Sequence, residues 1–93
     1  MQFEWDEVRN CSNIAKHGID FTDAVEIFNH PVLSAADQRE DFGEDRWIAL
    51  GWMKLIVAVV VYVERSGGDT IRIISARKAT RPEIKRYGHA LVP

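Results

Sequence analysis

The sequence predicts an α+β fold with two N-terminal helices, an antiparallel sheet of about four strands and a C-terminal helix. Apolar residues recur at helical spacing up to about residue 30, and strand-forming β-branched residues dominate after residue 46. A helix-capping motif then appears near residue 80. Because 93 residues is the length of one ordinary domain, residues 1–93 are expected to form a single unit.

The first helix follows a short strand or extended lead-in at Phe3–Trp5. Asp6 is a good N-cap for this helix, which is expected to run to about His17. Gly18 then provides the left-handed residue that commonly ends a helix. The apolar residues that we expect to face the core are Val8, Cys11, Ile14 and Ala15.

The second helix can be capped by either Asp20 or Thr22. It is expected to end at Asn29-His30-Pro31, because proline cannot continue a helix and disfavours helical backbone in the residue before it. Its predicted apolar face consists of Phe21, Ala24, Val25 and Phe28.

The segments after the second helix have the composition of strands. Val32–Ser34 is a candidate short strand, and residues 46–53 are rich in strand formers. The continuous β-branched run Leu55–Val63 predicts a central strand that is buried on both faces. Ser66–Asp69 forms a turn before a last strand at Thr70–Ala76. Because short turns join antiparallel neighbours, we expect an antiparallel sheet with the helices packed on one face.

The final helix begins at a capping box, in which Thr80 and Glu83 flank Pro82 in the first turn. Its apolar face is expected to consist of Ile84, Tyr87 and Leu91.

Charge is distributed unevenly along the chain, although the net charge is only −2. Residues 1–46 carry eleven acidic and four basic residues, whereas residues 47–93 carry three acidic and eight basic residues. The segment Arg72–Arg86 contains six basic residues and one acidic residue, Glu83. Such a local excess attracts phosphate groups, so this segment is the expected nucleic-acid surface.

Several protein classes are disfavoured by the sequence. Cys11 is the single cysteine, so no internal disulfide can form. The apolar run Leu55–Val63 is shorter than the roughly 20 residues needed to cross a membrane as a helix. The N-terminal residues lack the apolar stretch of a signal peptide. We therefore expect a cytoplasmic protein with no membrane association.

Three groups of residues resemble the BrnT family of small bacterial proteins, in the family's order and over nearly the whole chain. They are Phe3–Asp6 with Asn13–Phe21, Asp41–Trp47, and Ile71–Arg81 with Glu83 and Tyr87. The resemblance implies a RelE-like fold and the activity of a ribonuclease toxin. It also implies a partner antitoxin with a ribbon-helix-helix domain, similar to BrnA, in a hetero-oligomeric complex. Toxins with this fold are often strongly basic, and this chain departs from that pattern.

RNA cleavage without a metal requires a base for the 2′-hydroxyl, cations for the phosphorane and an acid for the leaving oxygen. With the family resemblance, Arg77 is the predicted catalytic cation, because it ends the last strand and a guanidinium matches phosphate oxygens. Imidazole suits proton transfer near neutral pH, so His17 is a predicted catalytic residue together with Lys16. The alternative for both is an ordinary helix C-terminus, where basic side chains complement the dipole.

Other residues are candidates for RNA contact. Each has a structural alternative: a strand-edge or solvated charge for the basic residues, and a core position for the tyrosine. The predicted RNA-binding residues are Arg72, Lys78, Arg81 and Tyr87. We expect Arg77 and Lys78 to point to opposite faces of their strand, and Arg72 to share a face with Ile74 and Ala76.

The acidic loop, residues 37–45, does not fit a calcium site, because Arg39 occupies a ligand position and Gly43 lies one place too late. No zinc spacing, P-loop or dinucleotide motif is present, so no metal or cofactor is predicted. A solvated loop is expected, although it could also repel RNA or dock a basic segment of the antitoxin.

Two other functions remain open from the sequence. A non-catalytic nucleic-acid-binding module would use the same arginines without turnover. A partner-docking domain would use the acidic loop and Trp52, which is expected to be the most exposed tryptophan.

Overall fold

The computed structural model describes residues 1–39, 41 and 43–91. Glu40 and Phe42 of the predicted acidic loop lie outside the described residues, as do Val92 and Pro93. In chain order the elements are β1 (Gln2–Glu4), α1 (Glu7–His17), α2 (Phe21–Ala24), a 3₁₀ turn (Val25–Asn29), β2 (Leu33–Ala36), β3 (Trp47–Met53), β4 (Ile56–Arg65), a 3₁₀ turn (Ser66–Gly68), β5 (Thr70–Lys78) and α3 (Arg81–Leu91).

The strands form one mixed sheet in the order β1-β5-β4-β3-β2. Strands β2 to β5 pair antiparallel, whereas β1 pairs parallel to β5, with Phe3 opposite Ile71. The predicted α+β class is confirmed, but the described sheet has five strands and is not purely antiparallel. The fifth strand is β1, which overlaps the short strand or extended lead-in predicted at Phe3–Trp5. A segment of three residues carries too little periodicity to predict its pairing in the sheet.

Helices cover both faces of the sheet, so the prediction that they share one face is wrong. Phe21, Ile27 and their neighbours in α2 and the 3₁₀ turn pack with Val60 of β4 in the main core. On the opposite face, Tyr87 of α3 packs with Val59 and other residues of β3 and β4. The physical reason is that β4 is apolar on both faces and is buried from Val57 to Val63, as its composition predicts.

Helix α1 turns its apolar residues away from the core. Its boundaries agree with the prediction: Asp6 accepts hydrogen bonds from two backbone N–H groups, and Gly18 ends the helix with a φ of 73°. However, Val8 is 80% exposed, and Cys11 is exposed too, so the predicted packed thiol is wrong. The buried positions of this helix are instead Asn10 and Asn13.

A β-bulge interrupts β5. Val61 lies opposite Ser75 and Tyr62 lies opposite Ile73, which leaves Ile74 without a partner in β4. The extra residue reverses the alternation of side chains beyond it. Ala76 therefore packs in the main core, and the expectation that it shares a face with Arg72 is wrong.

Within the described residues, no helix has both the length and the apolar character needed to cross a membrane.

Candidate functional site

A cleft of about 340 Å³ opens on the face of the sheet that α3 covers only in part. Its floor is apolar and is formed by Ile48, Val59 and Val61 of the two central strands. The side chains around this floor are polar or cationic. They are Lys16 and His17 from the end of α1, Arg39 from the loop after β2, and Ser75 and Arg77 from β5. Among the described residues that line the cleft, none is acidic.

Asn13 holds α1 against β5 next to this cleft. Its side-chain amide donates to the backbone oxygen of Ala76 at 2.9 Å, and its side-chain oxygen accepts from the backbone N–H of Ala76 at 3.1 Å. The same amide also donates to the backbone oxygen of Ile19 at 2.9 Å. Asn13 thus takes the place of a neighbouring strand at Ala76, which brings the end of α1 beside Arg77.

Arg77 is held by a carboxylate from the first turn of α3. Its Nη1 and Nη2 donate to the two carboxylate oxygens of Glu83 at 2.8 and 2.9 Å, and Nη1 also donates to the backbone oxygen of Lys78. The Arg77 guanidinium lowers the pKa of Glu83 to about 2. This geometry leaves Nε and one N–H of Nη2 without a partner among the described residues, and a guanidinium presents these two donors along one edge.

Glu83 is fixed independently of Arg77, because it also completes the predicted capping box of α3. Its carboxylate accepts hydrogen bonds from the backbone N–H of Thr80 at 2.8 Å and from the Thr80 hydroxyl at 3.0 Å. The capping box therefore does two things: it starts α3, and it provides a rigid acceptor for Arg77.

Arg39 is held by a buried carboxylate in the same way. Its Nε and Nη2 donate to the two side-chain oxygens of Asp37 at 2.8 and 2.7 Å. The Asp37 side chain has no exposed surface, and its hydrogen bonds from Arg39 lower its pKa despite burial. Arg39 and Arg77 line the same cleft. The hydrogen bond to Glu83 raises the pKa of Arg77, and the positive charge of Arg39 opposes this rise.

The predicted catalytic residues Arg77, His17 and Lys16 are brought together in this cleft. The predicted RNA-binding residues lie elsewhere. Arg72 is on the same face of β5 as Arg77, but its Nη1 is 3.7 Å from a carboxylate oxygen of Glu4.

Lys78 is opposite Ala58 and points away from the cleft, as expected from its alternation with Arg77. Arg81 is exposed on α3 and does not line the cleft. Tyr87 is 2% exposed, and its hydroxyl donates to the backbone oxygen of Pro31 at 2.6 Å. Its ring therefore has no open face on which a base could stack.

Sequence reasoning missed three contributors to the site. Arg39 was grouped with the acidic loop, where its neighbours suggested solvated charge. Asn13 was noted only within the family-like group Asn13–Phe21, with no structural role predicted for it. Glu83 was recognised as a cap but not as a partner of Arg77. The spacing of Arg77 and Glu83 around a strand end and a capping box is the one signal that could have revealed this pair.

The chemistry available in the cleft is that of anion binding with a nearby imidazole. Cations above an apolar floor attract phosphate oxygens strongly, because the floor excludes water on one side. Among the described residues, no group of His, Cys, Asp and Glu side chains is arranged to hold a metal ion.

The chain has no match among curated proteins. A family model described as "Ribonuclease toxin, BrnT, of type II toxin-antitoxin system" matches residues 5–83, which include every residue that lines the cleft. The matched segment is most of the chain and contains every strand of the sheet except β1. The fold, the cationic cleft and this match lead to one conclusion: the chain belongs to the BrnT family of ribonuclease toxins of type II toxin–antitoxin systems.

Proposed function

We propose that this protein is a metal-independent endoribonuclease that cleaves RNA through attack of a 2′-hydroxyl on the adjacent phosphate. The observation that carries the proposal is the meeting of Arg77, His17 and Lys16 in one cleft in which no described acidic residue takes part. Membership of a ribonuclease toxin family supports RNA as the substrate.

In the proposed reaction, the scissile phosphate lies over the apolar floor and accepts hydrogen bonds from the edge of Arg77 that faces away from Glu83. His17 removes the proton of the 2′-hydroxyl, whose oxygen attacks phosphorus as the bond to the 5′-oxygen breaks. Arg77, Arg39 and Lys16 stabilise the charge that develops on the phosphorane. The departing 5′-oxygen takes up a proton from water, and protonated His17 returns its proton to solvent. The products are a 2′,3′-cyclic phosphate and a 5′-hydroxyl.

The proposed partner is a protein antitoxin with a ribbon-helix-helix domain, similar to BrnA, which forms a hetero-oligomer with the toxin in the cytoplasm. Membership of a type II toxin family supports a protein antitoxin in general. The ribbon-helix-helix class rests on the sequence resemblance.

The test is cleavage of RNA by the purified protein in the presence of EDTA. We expect Arg77→Ala to reduce kcat by about a hundredfold or more, since a preorganised cation at the transition state contributes roughly 3–4 kcal/mol. Arg77→Lys should remain strongly impaired, because lysine keeps the charge but cannot donate along two parallel directions. Lys78→Ala is the matched control, since this neighbouring cation points away from the cleft.

Unchanged cleavage in a folded Arg77→Ala variant would contradict the site. Salt-dependent RNA binding by the wild type without 2′,3′-cyclic phosphate ends would instead favour a non-catalytic RNA-binding module.

A further inference from the structure

A second cleft adjoins the first along α1. It is lined by Arg9, Ser12 and Asn13 of the helix, by Ile74 of β5, and by three residues that also line the first cleft. The shared residues are Lys16, His17 and Ser75. The two clefts therefore form one continuous groove that passes the end of α1, and none of the described residues that line it is acidic.

The position of the second cleft follows from the rotation of α1. Residues three, four and seven apart share a helix face, so Arg9, Asn13 and Lys16 form one row. Asn13, in the middle of this row, is fixed by hydrogen bonds to the backbone of Ala76. The cations on either side of Asn13 must therefore lie along the edge of β5. Arg9 and Lys16 are separated by about 10 Å along the helix axis, which is longer than the distance between adjacent phosphates of an RNA strand.

The charge of Arg9 is not neutralised within the described part of the chain. Neither Arg9 nor Lys16 forms an ion pair with a described residue. Nearby carboxylates are engaged in the fold: Asp6 caps α1, and Asp20 caps α2 and accepts from Asn10. An uncompensated arginine at the end of a cationic groove favours an additional anionic group of the same ligand.

We propose that Arg9 and Ser12 form a subsite for a further phosphate of the RNA strand whose scissile phosphate lies in the first cleft. The Arg9 guanidinium and the Ser12 hydroxyl donate to its oxygens, and Lys16 lies between the two phosphate positions. This inference rests on the proposed function, because it assigns the substrate as an extended single strand and not a dinucleotide.

The experiment measures binding of uncleavable 2′-O-methyl RNA by fluorescence anisotropy at several salt concentrations. The probes are a dinucleotide and an oligonucleotide of about 12 nucleotides, within the range of known single-strand sites. For the long probe, Arg9→Gln should weaken binding by about tenfold or more, the effect of one charge-assisted contact. It should also reduce the slope of log affinity against log salt by about 0.7, the value for one phosphate contact on a single strand. Affinity for the dinucleotide should not change.

Lys85→Gln is the control, because it removes one exposed positive charge on α3 that lines neither cleft. An equal loss in Arg9→Gln and Lys85→Gln would show that only net charge matters and would overturn the subsite. The same conclusion follows if Arg9→Gln leaves the salt slope unchanged, if it weakens the dinucleotide and the long probe equally, or if the wild type fails to bind the long probe.

Failure of the proposed function has a different signature. Arg77→Ala without effect on cleavage contradicts the catalytic site but leaves the Arg9 salt slope intact. Arg9→Gln without effect on binding contradicts the subsite but leaves the loss of cleavage in Arg77→Ala intact.

Discussion

Arg77 and Arg39 each pair with a carboxylate that the fold immobilises for another reason. Glu83 caps α3, and Asp37 is buried at the end of β2. A guanidinium fixed in this way loses less conformational entropy when it binds a phosphate than a freely rotating one would. Each carboxylate also offsets part of the positive charge of its arginine, so the guanidinium is better oriented but attracts a phosphate less strongly.

Glu83→Gln is expected to reduce kcat about tenfold without raising KM. Glutamine offers Arg77 one oxygen in place of two, so the guanidinium turns away from its productive orientation and kcat falls. KM does not rise, because the positive charge of Arg77 is no longer offset by a carboxylate. A tenfold loss in kcat corresponds to about 1.4 kcal/mol. Steady-state cleavage of a model RNA measures both constants. A raised KM with unchanged kcat would mean that Glu83 does not orient Arg77.

The Glu83 carboxylate is also expected to make stability depend on acid. Its pKa is lowered from 4.5 to about 2 in the folded protein, so its contribution is fully present above pH 4.5 and is lost as the pH falls toward 2. Because the Arg77 side chain is 41% exposed and screened by solvent, we expect this contribution to be about 1–2 kcal/mol. Urea denaturation of wild type and Glu83→Gln should give a stability difference that shrinks over this pH range. A constant difference would contradict the ion pair.

At the level of elements, α1 shows what the sequence could and could not predict. Its start at Asp6 and its end at Gly18 follow from local backbone chemistry, which a sequence displays directly. The face that α1 turns toward the sheet does not follow from local backbone chemistry. Asn13 is buried because its side chain binds the backbone of Ala76. Ala76 lies 63 residues away in the sequence, so no local pattern predicts this pairing. The position of His17 in the cleft was therefore predictable only through family resemblance.

Asn13→Ala is expected to lower the free energy of unfolding by about 2–4 kcal/mol, since it leaves the buried N–H and C=O of Ala76 unpaired. Ile14→Ala is the matched control on the same helix. Ile14 is 40% exposed, so its truncation should cost only about 0.5–1 kcal/mol. Urea denaturation compares the two, and equal losses would show that the Asn13 bridge does not hold α1 to the sheet.

For the whole molecule, the distribution of charge along the sequence proved a poor guide to its distribution in space. Of the six basic residues between Arg72 and Arg86, Arg77 is the one that lines the first cleft or its extension. The other cations of this groove belong to the acidic half of the chain; they are Arg9, Lys16 and Arg39. A net charge of −2 is thus compatible with an RNA-binding groove, because many carboxylates are engaged in caps and ion pairs elsewhere.

The proposed antitoxin is expected to stabilise the toxin and to inhibit RNA cleavage at equimolar concentration. Binding to the folded state alone raises stability by mass action, by about 2.7 kcal/mol when the free antitoxin is a hundredfold above its Kd. Thermal unfolding of the toxin, with and without a ribbon-helix-helix protein encoded beside it in the genome, measures the shift in Tm. An unchanged Tm together with full cleavage activity would exclude that protein as the partner.

The bulge allows β5 to lose one residue without a change in its pairing with β4. The residues before Ile74 and those after it each keep their own register with β4, and Ile74 itself has no partner there. A chain that lacked Ile74 would retain both pairings and would still present Arg72 and Arg77 on one face. Because Ile73 is also an isoleucine, its loss would give the same chain. Loss of one residue in the interior of β5 away from the bulge would instead turn the side chains on one side of the gap to the other face. In the comparison of related chains, a gap of one residue is therefore compatible with this site at the bulge, where Ile73 and Ile74 are equivalent, and disruptive in the interior of β5 away from it.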